Sequence, residues 1–159
     1  MTTKNTDLVA NFEATPQVAN SAAELAGVLR TAHGSVELAA GDSTDNDIVM
    51  LAPIPSNAAV PTLFVGSDTF GGSCTFNVGI YTSAGVVKDE DVFATSVADA
   101  AAMADVRYEA ADLNTGSKKL WELAGDSEDP GGYYYIAITF NATGGTAGTL
   151  NWNISYVID

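Results

Sequence analysis

The sequence contains few of the residues on which most enzyme active sites depend. Its 159 residues include one histidine, His33, and one cysteine, Cys74. A lone cysteine excludes an internal disulfide framework and a cysteine-rich metal site. We interpret His33 as a structural or surface residue, because no nucleophile-elbow serine motif accompanies it, and Cys74 as a small buried hydrophobe. We therefore expect no enzyme activity and no cofactor.

Basic residues are also scarce. Six lysines and arginines stand against 20 aspartates and glutamates, which gives a formal charge of -14. Such a charge repels phosphate, so neither nucleic acid nor an anionic membrane surface is an expected partner. No apolar run approaches the roughly 18–20 residues that span a bilayer. Met1–Asn11 lacks the apolar core of a signal peptide, so we expect the chain to be made in a cytoplasm.

Several acids are grouped in segments with the composition of turns. Asp42, Asp45 and Asp47 stand among serine, threonine and asparagine. Carboxylates at this spacing could surround a calcium ion, but the segment lacks the glycine and the terminal glutamate of an EF-hand loop. We favour solvated turn acids, and no metal site is predicted. A pair of catalytic carboxylates in a cleft, as in glycoside hydrolases, stays open as an alternative.

Alternation of apolar residues is the main structural signal. Tyr134–Phe140 and Leu150–Ile158 each place an apolar residue at every second position. This period is typical of strands that pack one face on a core. The sequence leaves open whether these two strands are neighbours in a hairpin or belong to two facing sheets.

Shorter strand patterns occur upstream. Phe76–Tyr81 alternates and is predicted to have one solvent-facing side, and Lys88–Asp91 is predicted to be a solvated connection. Pro53 and Pro55 are predicted to end the strand that precedes them, because proline donates no ladder hydrogen bond. The other predicted strands lie within Val28–Ala40, Ile48–Ile54 and Thr62–Val65, and a further one starts at Val86.

Helical signals are few. Ser21–Leu25 has the spacing of a capping box. Ser117–Ala124 is predicted to be a short helix that ends at Gly125, a residue suited to a left-handed C-terminal position. The alanine-rich stretch Ser96–Ala111 is predicted to be helical in part.

These patterns together predict an all-β fold. Seven or eight short strands separated by polar turns favour an antiparallel, jelly-roll-like β-sandwich with one or two short helices. We divide the chain into an extended N-terminal arm, residues 1–26, and a sandwich domain, residues 27–159. The arm is either a frayed terminus or a segment that lies on another subunit.

Aromatic residues offer a further functional interpretation. Tyr133 and Tyr135 fall on the polar side of their strand, so they could face a partner, a second sheet or a sugar. We favour packing or a protein interface. A sugar-stacking platform would also draw on Trp121, Tyr134 and Trp152.

An ordered series of segments resembles one known protein family. The series covers roughly residues 28–159, and no single segment in it is specific. The family comprises virion structural proteins of tailed bacteriophages that act as capsid decoration, or cement, proteins. The segments are His33–Ala39, Ile54–Asn57, Gly66–Asp68, Phe76–Tyr81, Lys88–Phe93, Lys119–Gly125 and Ser155–Asp159.

The resemblance implies a non-enzymatic structural protein of the virion. It implies a jelly-roll-like body on the outer surface of the head, bound to the major capsid protein, often as a homotrimer, that stabilises the capsid lattice. The alternatives are another virion part, such as a head fibre or a tail-associated protein, or a carbohydrate-binding sandwich module. The residues that we expect at a capsid or subunit interface are Leu8, Val9, Phe12, Val18, Tyr133 and Tyr135.

Overall fold

The computed structural model describes residues 5–21, 24–25, 27–110 and 113–158. Two short helices and eight strands occur in this part of the chain. The helices are α1 (Asp7–Glu13) and α2 (Leu120–Leu123). The strands are β1 (Leu29–Leu38), β2 (Ile48–Pro55), β3 (Ala58–Ser67), β4 (Thr75–Tyr81), β5 (Val87–Ala98), β6 (Ala104–Asp105), β7 (Tyr133–Phe140) and β8 (Gly148–Ile158).

The strands form two four-stranded antiparallel sheets that pack face to face. The first sheet has the order β1-β8-β3-β6 and the second has the order β2-β7-β4-β5. This is the strand order of an eight-stranded jelly roll. The predicted all-β sandwich is confirmed, and β7 and β8 belong to facing sheets and not to one hairpin.

The core lies between the sheets and is built from the alternating residues of the inner strands. Ile136 and Ile138 of β7 and Leu150 and Ile154 of β8 are fully buried. At one end of the core, the Phe140 ring meets Phe70 and Phe76 edge to face, with ring centroids 5.5 and 6.1 Å apart. Such edge-on packing is the geometry that aromatic pairs prefer.

The prediction of a solvent-facing side on β4 is wrong. Asn77, Gly79 and Tyr81 point away from the core, yet all three are buried. The pairing explains this, because two steps along β4, from Val78 to Ile80, match five steps along β5, from Ala94 back to Asp89. The extra residues of β5 fold over the outer side of β4.

The segment that covers β4 is the one that was predicted to be a solvated connection. Lys88–Asp91 lies within β5. The side-chain amide of Asn77 donates to Glu90 at 2.7 Å, and burial raises the pKa of the Asp89 carboxyl. The acidic residues of this segment are therefore held against the sheet.

The two prolines of β2 do not end it. The strand continues to Pro55, and Pro53 and Pro55 stand opposite Tyr135 and Tyr133 of β7. Because β2 is an edge strand, a proline nitrogen can face away from the ladder without removing a hydrogen bond.

The helix predictions have mixed outcomes. Ser117–Ala124 contains α2, and Gly125 has the expected positive φ of 77°. No helix occurs over residues 96–110, which instead contribute the short strand β6. In the stretch Ser21–Leu25 the structure places Glu24 and Leu25 in a turn, while residues 22 and 23 lie outside the described residues. Helix α1 was not predicted.

Candidate interaction surfaces

Leu8 of α1 lies at a groove that residues of the sandwich also line. It is half-buried, and the groove, of about 340 Å³, is lined by Leu8 together with Pro61, Tyr108 and Leu113. The predicted arm thus contains a short helix, one residue of which shares a groove with the sandwich. Of the four predicted interface residues in the arm, Leu8 is half-buried and the other three are exposed.

The residues after α1 return along it. The Asn11 side-chain amide donates to Asn20 Oδ1 at 2.8 Å, and the Asn20 amide donates to the Leu8 carbonyl at 3.2 Å. The backbone N–H of Val18 donates to the Asn11 carbonyl at 3.1 Å. These bonds fold residues 8–20 into one small unit.

This unit presents three apolar side chains to solvent. Val9, Phe12 and Val18 are 41%, 65% and 50% exposed. Val9 and Phe12 stand three residues apart on α1, so they share one side of the helix. We call these three residues the arm surface.

Tyr133 and Tyr135 occupy the outer side of the second sheet. Tyr133 is 63% exposed and stands opposite Pro55, while Tyr135 is half-buried opposite Pro53. The four rings form an aromatic and proline strip along the β2 edge of this sheet. The strip belongs to β2 and β7 of the sandwich, whereas the arm surface belongs to α1 and the residues after it.

The five aromatic residues of the suggested sugar platform do not lie together. Tyr134 faces inward and is buried, whereas its neighbours in β7 face outward. Trp152 belongs to the other sheet, where its indole lies over Gly34 of β1. Tyr133 and Tyr135 share a face of β7, and Trp121 lies in α2, partly buried against the core.

A buried arginine, Arg107, precedes Tyr108 of the groove that Leu8 lines, and no pattern in the sequence pointed to it. Arg107 is fully buried, and its Nε donates to the Val60 carbonyl at 2.7 Å. Its Nη2 donates to the carbonyl of Thr115 at 3.1 Å. Arg107 therefore fixes the segment that carries Tyr108 and Thr115 to β3.

The arginine is held without a carboxylate partner in the described part of the chain. Burial lowers the pKa of Arg107. Its guanidinium carbon is 4.8 Å from the ring centroids of both Phe93 and Tyr108, and aromatic rings attract cations. Charged residues are seldom fully buried, so no sequence pattern would have selected Arg107.

The acids that were considered as calcium ligands close turns. Asp42 accepts the backbone N–H of Ala39 at 2.9 Å, and Asp47 accepts the backbone N–H and the hydroxyl of Thr44. These bonds lower the pKa of Asp47. Among the described residues, no three metal-ligating side chains converge.

A polar cluster links the β5 strand to the end of α2. The Asp126 carboxylate accepts a hydrogen bond from the Lys88 ammonium at 2.8 Å and a second one from the Tyr134 hydroxyl. The bond from Lys88, followed by that from Tyr134, lowers the pKa of Asp126. Burial, with the nearby Asp126 charge, raises the pKa of Tyr134 to about 12. This cluster stabilises the fold and resembles no catalytic arrangement.

The residues with nucleophilic or basic chemistry are kept apart. Cys74 is buried, and this burial raises the pKa of its thiol, so the reactive thiolate is disfavoured. His33 is exposed on the outer side of the first sheet, opposite Asn153 of β8.

No helix in the described part of the chain has the length and apolar character needed to cross a membrane.

Comparisons with known proteins give one structural likeness to report. No family model and no curated protein matches the chain. A chain of the cyanophage Pam1 capsid asymmetric unit aligns with 84% of this chain and 86% of its own length. The two are 16% identical, with a TM-score of 0.44. The fold assignment rests on the strand order of this chain.

Proposed function

We propose that the protein is a non-enzymatic decoration, or cement, protein of a tailed-bacteriophage head. In this role it binds the major capsid protein on the outer surface of the capsid and stabilises the lattice. The ordered series of segments that resembles this family first suggested the role. The structural observation that carries it is the arm surface, because the apolar residues Val9, Phe12 and Val18 lie exposed on a hydrogen-bonded unit.

An exposed apolar surface on an ordered unit is characteristic of a docking site. Fully burying one aliphatic or aromatic side chain stabilises a complex by about 1.5–3 kcal/mol, so three half-exposed residues give a modest contact. A capsid lattice offers many identical positions, and a protein that contacts several subunits at once binds more tightly than one contact allows. The arm, residues 1–26, would be the anchor and the sandwich would be the outward body.

The charge of the chain suits this position. A formal charge of -14 keeps an outward surface soluble and opposes contact with packaged DNA. We further propose that the protein acts as a homotrimer. In such an assembly the proline and tyrosine strip around Tyr133 and Tyr135 is available either for the capsid or for a neighbouring copy.

Imaging of the particle tests the proposal. Heads assembled with and without the protein are compared by cryo-electron microscopy. We expect additional density on the outer surface of the heads that contain the protein. Density inside the shell or on the tail would contradict the proposal and would favour another virion role. Sedimentation of the free protein tests the trimer separately.

A further inference from the structure

The four edge strands of the two sheets differ in how well they are protected. An edge strand exposes unpaired backbone N–H and C=O groups, which can pair with a strand of another chain. The edges are β1 and β6 in the first sheet and β2 and β5 in the second. Natural sheets block such edges with prolines, bulges, charges or short strands.

Three of the edges carry such protection. β6 has two residues. β2 carries Pro53 and Pro55 and is interrupted by a register shift between Met50 and Ala52. β5 has several register shifts and bears the acidic segment Asp89–Asp91. Each of these features disfavours the addition of another strand.

β1 has no proline and no register shift and is not short, although it bears two charged residues, Arg30 and Glu37. Its ten residues pair with β8 in one continuous register, Leu29↔Val157 to Leu38↔Gly148, without a shift. The strand contains no proline, and among the described residues its pairing is with β8 alone. Its first three residues and then His33, Ser35 and Glu37 are exposed. β1 is therefore a long, regular and open edge.

A groove with a defined chemistry lies beside this edge. It has a volume of about 420 Å³ and separates the end of β1 from β2. Its apolar residues include Leu38 and Ile48, and its polar residues include Asp42 and Asp47. Both carboxylates close turns, which fixes their positions. Glu37 adds a third carboxylate at the end of β1.

We propose that β1 is a strand-addition site for an extended segment of another protein whose side chains alternate between basic and apolar. The backbone of the segment would pair with the open edge of β1. Its apolar side chains would enter the groove beside Leu38 and Ile48, and its cations would face Glu37, Asp42 and Asp47. Main-chain pairing with alternate side-chain pockets is an established mode of peptide recognition.

Charge at this edge favours such a partner. Glu37 stands at the end of β1, and Asp42 and Asp47 line the groove beside it, so opposite charges on a partner would be complementary here. A basic segment is attracted to the same edge. The inference does not depend on the capsid role, because β1 is separate from the arm surface and the strip that contains Tyr133.

Synthetic peptides test the proposal with the full-length protein. The probe is an eight-residue peptide of alternating lysine and valine, blocked at both ends. One control peptide has every backbone nitrogen methylated, and the other replaces lysine with glutamate. Binding is measured by calorimetry, and amide hydrogen exchange is followed residue by residue by NMR. We expect the lysine–valine peptide alone to slow exchange in β1, by about tenfold or more at saturation.

Charge-neutral variants separate this site from general attraction to an acidic protein. The substitutions Glu37→Gln, Asp42→Asn and Asp47→Asn retain the hydrogen-bond acceptors of the turns and should weaken binding by about tenfold. A control with the same net charge carries three changes elsewhere and should bind the peptide almost as the parent does. Its substitutions are Asp91→Asn, Glu109→Gln and Glu128→Gln.

Four results would overturn the proposal. The first is binding without slower exchange in β1. The second is equal binding by the methylated peptide, and the third is equal weakening in the two triple variants. The fourth is a free protein that sediments as a dimer with β1 amides already protected, since the edge would then belong to a second copy.

Discussion

The guanidinium of Arg107 lies against the ring of Phe93, with its central carbon 4.8 Å from the ring centroid. Phe93 is a fully buried residue of β5, and Arg107 follows β6 in the other sheet. The contact therefore joins the two sheets, next to the groove that Tyr108 lines. The same guanidinium donates to the backbone of β3, so one side chain organises three elements.

Two replacements of Arg107 should show how its buried charge and its side-chain volume each affect the free energy of unfolding. Arg107→Ala removes the contact with Phe93 and leaves a cavity, and we expect the free energy of unfolding to fall by about 3 kcal/mol. Arg107→Met fills much of the same space without a buried charge, so we expect a change within about 1 kcal/mol of the parent. Urea denaturation of the three proteins measures the difference. Equal losses in the two variants would show that the hydrogen bonds of the guanidinium dominate.

Gly79 should tolerate no side chain. A Cβ at this position would overlap the backbone of Asp89 and Glu90, where β5 folds over β4. We expect Gly79→Ala to lower the free energy of unfolding by about 2–3 kcal/mol, because backbone atoms must move to admit the methyl group. Gly41→Ala is the control, since nothing lies within 4 Å of the added Cβ, and its stability should match that of the parent. Similar stabilities for the two variants would contradict the packing of β5 on β4.

The sequence predicted those parts of the fold in which local pattern and burial agree. In β8, Leu150 and Ile154 alternate with Asn151 and Asn153, and the structure places the first pair in the core and the second pair outside. The turn at Gly125 was predictable for a similar reason, because a glycine ends a short helix at a position that requires positive φ.

The remaining features depend on contacts between distant segments. The alternation in Phe76–Tyr81 is real, but its outer side is buried because a bulged partner strand covers it. The residues near Arg107 in the sequence form no pattern that predicts its burial. Its surroundings come from β3, β5 and the segment around Thr115. Among the predicted interface residues, the sequence could not distinguish Leu8, which is half-buried at a groove, from Phe12, which is exposed.

Tyr134 should titrate at unusually high pH. Burial and Asp126 raise its pKa from 10.0 to about 12. Because the folded-state value lies above the unfolded one, the contribution of the protonated hydroxyl to stability is complete below pH 10 and is lost as the pH rises towards about 12. Asp126→Asn removes the negative charge and should lower this pKa, which ultraviolet titration of the tyrosines measures. An unchanged titration curve would contradict the role of Asp126.

The arm surface should contribute to head binding without contributing to folding. Val9 and Phe12 are 41% and 65% exposed, so the double change to serine should leave the melting temperature unchanged. We expect its affinity for heads assembled without the protein to fall by about tenfold or more, because apolar burial is lost. Val86 and Val87 are similarly exposed, at 60% and 50%. Val86 lies in the turn between β4 and β5, and Val87 is the first residue of β5. Their change to serine is the matched control and should retain affinity, and an equal loss in the two variants would show that the arm has no special role.

Tyr133 distinguishes a protein interface from a sugar site. Its ring is 63% exposed beside Pro55, on the strip that the structure keeps separate from the arm. If the strip contacts the capsid or a neighbouring copy, Tyr133→Ser should weaken head binding or trimer formation, while Tyr133→Phe retains the apolar contact and most of the affinity. Sedimentation and head-binding assays measure both effects, and a glycan array is run on the same proteins. Glycan binding that Tyr133→Ser abolishes, with head binding and oligomeric state unchanged, would instead assign the strip to a carbohydrate.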